Sequence, residues 1–159
     1  MIKKITSLLL LVFIITAFTT SESTKYKCMI QMKNYTGEGA YIVISLLNPK
    51  GEYVKTLYVQ GDDNEWYHDI TEWWNFQGKV HADIDGITGA TISGGNRAIS
   101  HITIDNDKID KGYKIRFETA VEDKEYFKDD VEFELTSKTV KSKVEGKGFI
   151  RYIRLMPQK

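Results

Sequence analysis

Short runs of alternating apolar and polar residues constrain the fold of this chain more than any other feature. Tyr26, Cys28, Ile30 and Met32 fall on one face of an extended segment, and the residues between them are mostly polar. Apart from Ser45, residues 40–47 form a continuous apolar and β-branched run, which is typical of a central strand. Both patterns have the length and spacing of strands, so the chain is expected to be β-rich.

Turn sequences divide the chain into further short strands. Residues 48–51, Asn-Pro-Lys-Gly, predict a hairpin turn, because proline fixes a negative φ and glycine closes the turn. The segments predicted as strands are 26–32, 40–47, 53–59, 98–104, 113–121, 131–135 and 149–155. The first three are expected to form a meander. Short strands joined by turns and almost no helix predict an all-β fold, a mainly antiparallel two-sheet sandwich over residues 26–155.

One short helix is expected between the strands. Asp69 and Glu72 have the spacing of a capping box, in which the aspartate accepts from the backbone and the glutamate reaches back. Trp73, Trp74 and Phe76 follow, and a helix there would press one or two of these aromatic side chains onto a sheet. The side chains expected to be mostly buried are Tyr41, Val43, Phe117 and at least one of the two tryptophans.

The N-terminal segment has the pattern of a secretory signal. Lys3 and Lys4 form a short basic region, residues 7–18 carry no charge, and small or hydroxylic residues follow where a signal peptidase would cut. The apolar run is shorter than the roughly 20 residues that cross a membrane core. We therefore predict a signal peptide at residues 1–21, a single domain at residues 22–159, no membrane span after cleavage, and a periplasmic or secreted location. An uncleaved signal anchor is the alternative, because the cleavage site is not a clean A-x-A.

Composition narrows the classes of partner and site. The formal net charge is zero, so the chain has no excess of lysine and arginine with which to hold nucleic acid. The single cysteine, Cys28, cannot form an internal disulfide and is expected to be a buried strand thiol. Residues 25–27 before it are too large and too charged for a lipoprotein signal. His68, His81 and His101 show no spacing of metal ligands, so no metal site is predicted.

Residues 85–95 form the segment in which chemistry is expected. It is rich in glycine, which permits positive φ and lets another backbone or a ligand approach closely. Thr88, Thr91 and Ser93 present hydroxyl groups on a loop that we expect to be exposed. The structural alternative is a wide loop whose hydroxyls bond only to their own backbone. Composition alone favours that alternative.

The same segment resembles the D-x-x-[ST]-G-A-T-x-[ST] signature of proteins that receive flavin mononucleotide (FMN) covalently. In that family a flavin transferase, with FAD as donor, joins FMN by a phosphoester to the threonine of G-A-T. The resemblance assigns the acceptor to Thr91. The other matching positions are Asp85, Thr88, Gly89, Ala90 and Ser93. It implies that Gly89 and Ala90 are small neighbours that admit the transferase, and that Thr88 and Ser93 are flanking hydroxyls.

A wider resemblance covers most of the sequence after residue 21. The residues that carry it are 39–43, 51–57, Trp66, Trp73, Trp74, 85–91 and 112–118. They are similar to the bacterial periplasmic family catalogued as domain of unknown function 2271, which implies an immunoglobulin-like sandwich. Members tend to occur beside flavin transferases and PepSY-type membrane proteins, so a membrane redox or PepSY-type partner is implied. The sequence departs from the family pattern at residues 92–95, where many members have Arg and Pro, and again at residues 104–107.

Two hypotheses from different classes remain open. In the first, the exported domain carries FMN at Thr91 and takes part in electron transfer with a membrane partner, without being an enzyme by itself. Trp66, Tyr67, Trp73 and Trp74 are candidates to stack on the isoalloxazine, although core packing predicts the same residue types. In the second, an unmodified sandwich of the cell envelope binds a partner or a ligand through its loops. A hydrolase is a distant third, because no nucleophile with a base can be nominated.

Overall fold

Nine strands and one α-helix follow one another in residues 22–158, the part of the chain that the computed structural model describes. The predicted signal peptide, residues 1–21, lies outside it. The strands are β1 (Ser23–Met32), β2 (Tyr41–Leu47), β3 (Tyr53–Gln60), β4 (Thr88–Gly89), β5 (Arg97–Asp105), β6 (Lys114–Ala120), β7 (Phe127–Glu134), β8 (Lys143–Glu145) and β9 (Ile150–Pro157). The helix α1 spans Thr71–Val80, and short 3₁₀ helices span Asn64–Asp69, Asp85–Ile87, Asn106–Lys108 and Thr139–Lys141.

The strands form two sheets that pack face to face. One sheet has four strands in the order β5-β1-β9-β8, and the other has five in the order β4-β3-β2-β6-β7. Neighbouring strands are antiparallel except for β3 and β4, which are parallel. The predicted all-β sandwich with one short α-helix is therefore confirmed.

The predicted meander of the first three strands is wrong. β2 and β3 do form the expected hairpin, in which the side chain of Asn48 accepts from the backbone amides of Lys50 and Glu52, and Gly51 takes a φ of +84°. β1 instead lies in the four-stranded sheet, between β5 and β9. Residues 33–40 are longer than a hairpin loop of about two to five residues, and they carry the chain from one sheet to the other.

Apolar side chains from both sheets fill the core of the sandwich. The alternating face of β1 is buried as predicted, and burial raises the pKa of the Cys28 thiol to about 12. β2 lies in the middle of its sheet and is buried on both faces. Ile42 and Ile44 pack between the sheets, whereas Val43 packs on the outer side. This two-sided burial explains why the β2 sequence is apolar without alternation. Phe117 is fully buried, as predicted.

A second, smaller core lies between the five-stranded sheet and α1. Its buried members are Val43, Val59, Tyr67, Ile70, Trp73 and Ala120. The Nε1–H group of Trp73 donates to Thr56 Oγ1 at 2.8 Å. Trp73 is 0% exposed and Trp74 is 39% exposed, so the prediction that at least one of the two is buried is confirmed. Tyr41, predicted to be mostly buried, is only half-buried, because it lies at the edge of this core and lines a surface cleft.

The predicted capping box at the start of α1 is wrong. Asp69 belongs to the preceding 3₁₀ helix, where its carboxylate lies 3.2 Å from Nε2 of His68. Ile70 occupies the N-cap position and makes no side-chain cap bond. The backbone N–H of Glu72 donates instead to the hydroxyl of Tyr126 at 3.3 Å. A tertiary contact from the β6–β7 turn thus replaces the local cap.

A buried carboxylate lies beneath α1. Glu118 in β6 is 0% exposed and accepts hydrogen bonds from the hydroxyls of Tyr53, at 2.5 Å, and Tyr126. The backbone N–H of Trp73 also bonds to it. Phe76 of α1 stacks on the ring of Tyr53 with centroids 5.2 Å apart. Burial raises the pKa of Glu118 and outweighs these hydrogen bonds, which act in the opposite direction.

The raised pKa of Glu118 predicts a pH dependence of stability. The folded state binds a proton at Glu118 more tightly than the unfolded chain does. This group therefore adds to the free energy of unfolding. Its contribution is complete below the ordinary pKa of 4.5 and is lost as pH rises through the raised pKa of the folded state. We expect Glu118→Gln to remove this loss as pH rises above 4.5, as measured by urea unfolding at a series of increasing pH values. The exposed control Glu134→Gln should keep the wild-type dependence. If Glu118→Gln keeps it too, this prediction is wrong.

The second core predicts very different costs for two adjacent tryptophans. Trp73→Ala should lower the free energy of unfolding by about 3–5 kcal/mol, because it leaves a cavity and removes the bond to Thr56. Trp74→Ala should cost less than about 1 kcal/mol, because that side chain is partly in solvent. Urea denaturation of both variants checks the difference, and similar losses would contradict this account of the core.

Candidate functional site

Backbone pairing fixes the segment around Thr91 on both sides. β4 lies parallel to the end of β3, so that Thr88 is level with Val59. Beyond Thr91, Ile92 forms an antiparallel bridge with Ala40, with N–H···O distances of 2.8 and 3.1 Å. Residues 90 and 91 connect the β3–β4 pairing to the Ala40–Ile92 bridge, and both are exposed. The predicted exposed loop is therefore confined to this short span, because residues 85–89 form a 3₁₀ helix and a strand and Ile92 is buried.

The hydroxyl groups of this segment differ in their surroundings. Thr88 is half-buried, and its hydroxyl donates to the backbone oxygen of Asp85 at 3.3 Å, which is the local turn that the structural alternative expects. Thr91 is exposed, and its hydroxyl has no hydrogen-bond partner within residues 22–158. Ser93 is also exposed. The threonine of G-A-T is thus exposed with an unbonded hydroxyl, whereas the hydroxyl of Thr88 is engaged in the turn.

Two glycines make room for this segment. A Cβ atom on Gly39 would lie 2.3 Å from Oγ1 of Thr91, so only glycine at position 39 lets Thr91 take its place. A Cβ atom on Gly89 would lie 2.6 Å from the hydroxyl oxygen of Tyr58. The small size of Gly89 therefore serves packing against β3, and Ala90 is the small neighbour that faces solvent.

Thr91 lies at the rim of a surface cleft of about 160 Å³, here called the Thr91 cleft. The residues that line it are Glu38, Gly39, Tyr41, Trp66, Asp69, Thr91, Ala120 and Glu122. Trp66 is half-buried and is the tryptophan that shares this cleft with Thr91. Glu38, Gly39 and Glu122 were not found by sequence reasoning, because they are distant from the motif and carry no signal of their own.

The Thr91 cleft is acidic. It is lined by the carboxylates of Glu38, Asp69 and Glu122, and by no lysine or arginine of residues 22–158. Burial first, and then neighbouring acidic groups that include Asp63 and Asp69, raise the pKa of Tyr41 in its wall. An anionic group in this cleft would therefore find no cationic side chain in its lining.

The structure divides the motif between two clefts. Asp85 and Thr88 line a larger cleft of about 390 Å³, here called the Trp74 cleft, and neither lines the Thr91 cleft. The 3₁₀ helix Asn64–Asp69 contributes to both, with Trp66 in the first and Tyr67 in the second. Of the four aromatic candidates for stacking, Trp66 is thus the one beside Thr91.

The sequence matches the family described as predicted periplasmic protein (DUF2271) over residues 23–152. The chain belongs to this family. This confirms the resemblance drawn from the scattered residue pattern, and the family description supports the predicted periplasmic location. No curated protein and no solved structure was found to match the sequence. No helix in residues 22–158 of this DUF2271 protein is long and apolar enough to cross a membrane.

The contact between Gly39 and Thr91 predicts a matched pair of glycine variants. Gly39→Ala should displace Thr91 and lower the free energy of unfolding of the DUF2271 protein by about 1–3 kcal/mol. Gly86→Ala should be close to neutral, because a Cβ there meets nothing within 4 Å. Urea denaturation gives both values. Equal stability of the two variants would show that Gly39 is not needed to seat Thr91.

Proposed function

We propose that this DUF2271 protein is a periplasmic redox carrier to which a flavin transferase joins FMN through the hydroxyl of Thr91. The observation that carries the proposal is an exposed Thr91 with an unbonded hydroxyl, within a segment that matches every defined position of the attachment signature. Bound FMN would supply reversible uptake of electrons. The proposed exchange partner is a membrane redox protein of the PepSY type, and the chain is not proposed to be an enzyme by itself.

The residues around Thr91 fit this group. Gly39 makes room for the side chain of Thr91, and Ala90 beside it is small and exposed. Trp66 offers a partly exposed indole in the adjoining cleft, against which a flat ring system can pack. The cleft is small, so a ring system held there would remain largely at the surface. Such a position suits exchange of electrons with another protein.

The acidic lining favours a covalent attachment over a reversible one. Proteins that hold a free phosphate group generally use arginine, lysine or a helix N-terminus. The described lining of the Thr91 cleft has no lysine or arginine and has three carboxylates. A phosphoester bond removes the need for ion pairing, and it keeps the flavin from being diluted outside the cytoplasm.

The attachment requires little of the chain itself. The oxygen of the Thr91 hydroxyl forms a new bond to phosphorus, and its proton is released. The pyrophosphate bond of FAD breaks, and AMP departs. The transferase must supply the base, because no titratable side chain within residues 22–158 hydrogen-bonds to Thr91. What the protein contributes is an accessible hydroxyl held between the fixed ends of its loop.

Co-expression with a flavin transferase in the periplasm tests the proposal. Intact mass should show an increment of one FMN, accompanied by yellow colour. Thr91→Ala should abolish the increment, whereas Thr91→Ser, which keeps a hydroxyl, and Thr88→Ala should retain it. Stability should change by less than about 0.5 kcal/mol in Thr91→Ala, since the side chain is exposed and unbonded.

The same experiment can defeat the proposal. An unmodified mass, obtained while the same transferase modifies a control substrate in the same cells, would favour the unmodified envelope module. An increment that persists in Thr91→Ala would move the attachment to another residue.

A further inference from the structure

The Trp74 cleft is not used by the proposed attachment at Thr91. Its volume of about 390 Å³ falls within the usual range for small-ligand pockets. Its wall is formed by the 3₁₀ helix Asn64–Asp69, the C-terminal part of α1 and the start of the flavin-type motif. None of the residues that line it lines the Thr91 cleft, so the two clefts can be tested separately.

Charge in the Trp74 cleft selects for a cation. Asp62 and Asp85 both line it, and neither carboxylate has a hydrogen-bond or ion-pair partner within residues 22–158. Burial, followed by the charges of these two aspartates, raises the pKa of Tyr67 in the same cleft. No lysine or arginine of the described chain is in the lining, and its basic side chain is the imidazole of His81. Within residues 22–158 no group of carboxylates, histidines or cysteines is placed to hold a metal ion, so an organic cation is the better match.

Trp74 supplies a flat surface for such a cation. Its indole is 39% exposed, whereas the neighbouring Trp73 is fully buried. The ring is supported from behind by Tyr67 and Trp73, whose centroids lie 6.2 and 6.1 Å away. A cation above an indole face is attracted by the ring's electrons, and a planar cation gains stacking as well.

Gln77 and Ile84 complete the wall next to Trp74. Gln77 is 7% exposed, and its Nε2 group donates to the backbone oxygen of Ala82 at 2.6 Å, which fixes the amide. Its Oε1 atom is buried without a hydrogen-bond partner within residues 22–158. Ile84 adds apolar surface beside these polar groups. The cleft therefore combines acceptors and carboxylates with an apolar wall.

We propose that the Trp74 cleft binds a small planar organic cation, of the amidinium or guanidinium class, carried on an apolar body. The cation lies on the face of Trp74, and its N–H groups donate to the carboxylates of Asp62 and Asp85. The apolar body packs against Ile84. This inference does not depend on whether Thr91 carries FMN, because it uses neither that residue nor its cleft.

Isothermal titration of the exported, unmodified protein with benzamidine tests the proposal, and neutral benzamide of nearly the same shape is the control ligand. Benzamidine should bind saturably at one site and weaken as salt is added. Benzamide should bind at least about tenfold more weakly, since it lacks the charge. Equal affinities of the two ligands, or no binding of benzamidine, would overturn the proposal.

Matched variants locate the binding site. Asp62→Asn combined with Asp85→Asn should weaken benzamidine binding at least about tenfold, and Trp74→Leu should weaken it as well. The exposed control Glu134→Gln should bind like wild type. Thermal melting of each variant verifies folding, and the carboxamide pair keeps the test valid if Trp74→Leu is unstable. Unchanged binding in a folded Asp62→Asn/Asp85→Asn variant would refute the site.

Discussion

The packing of α1 on the outer face of the five-stranded sheet is the interaction on which the rest of the structure depends. Trp73 fills the space beneath the helix and bonds to Thr56, and Glu118 binds the helix start through its backbone. The 3₁₀ helix that precedes α1 is fixed with it through Tyr67, which contacts Trp73 edge-on. That 3₁₀ helix supplies one aromatic residue to each cleft. Both proposed sites are therefore consequences of how one short helix covers one sheet.

A net charge of zero conceals an uneven distribution of charge. Carboxylates line both clefts, and no lysine or arginine does so in the described chain. Basic residues pair elsewhere, as Arg116 and Lys114 do with Glu132 on the outer face of the five-stranded sheet. The composition argues against nucleic acid as a partner, but it could not show that carboxylates collect in these two clefts. Only the fold brings Glu38, Asp69 and Glu122 to one place.

Much of the fold could be predicted because the spacing of apolar residues along a strand reflects which of its faces are buried. The alternation in β1 identified a strand buried on one face, and the apolar run in β2, interrupted only by Ser45, identified a strand buried on both faces. The predictions that failed depended on contacts between residues that are far apart in the sequence. The sheet that β1 would join is set by packing across the sandwich, and the start of α1 is capped by Tyr126 and not by Asp69. Nothing in the sequence indicated that Glu118 is buried, because the helix that covers it lies elsewhere in the chain.

The arrangement of the candidate site also could not be predicted from the sequence. A motif that is continuous in sequence need not be continuous in space, because the extended backbone from Thr88 to Thr91 turns successive side chains in different directions. Asp85 and Thr88 bond to each other through the turn and face the Trp74 cleft, whereas Thr91 faces the cleft that holds Trp66. Asp85 contributes to the loop before Thr91 through its backbone oxygen, which accepts from the hydroxyl of Thr88. The carboxylate of Asp85 is then left available in the second cleft, where the structure gives it no partner.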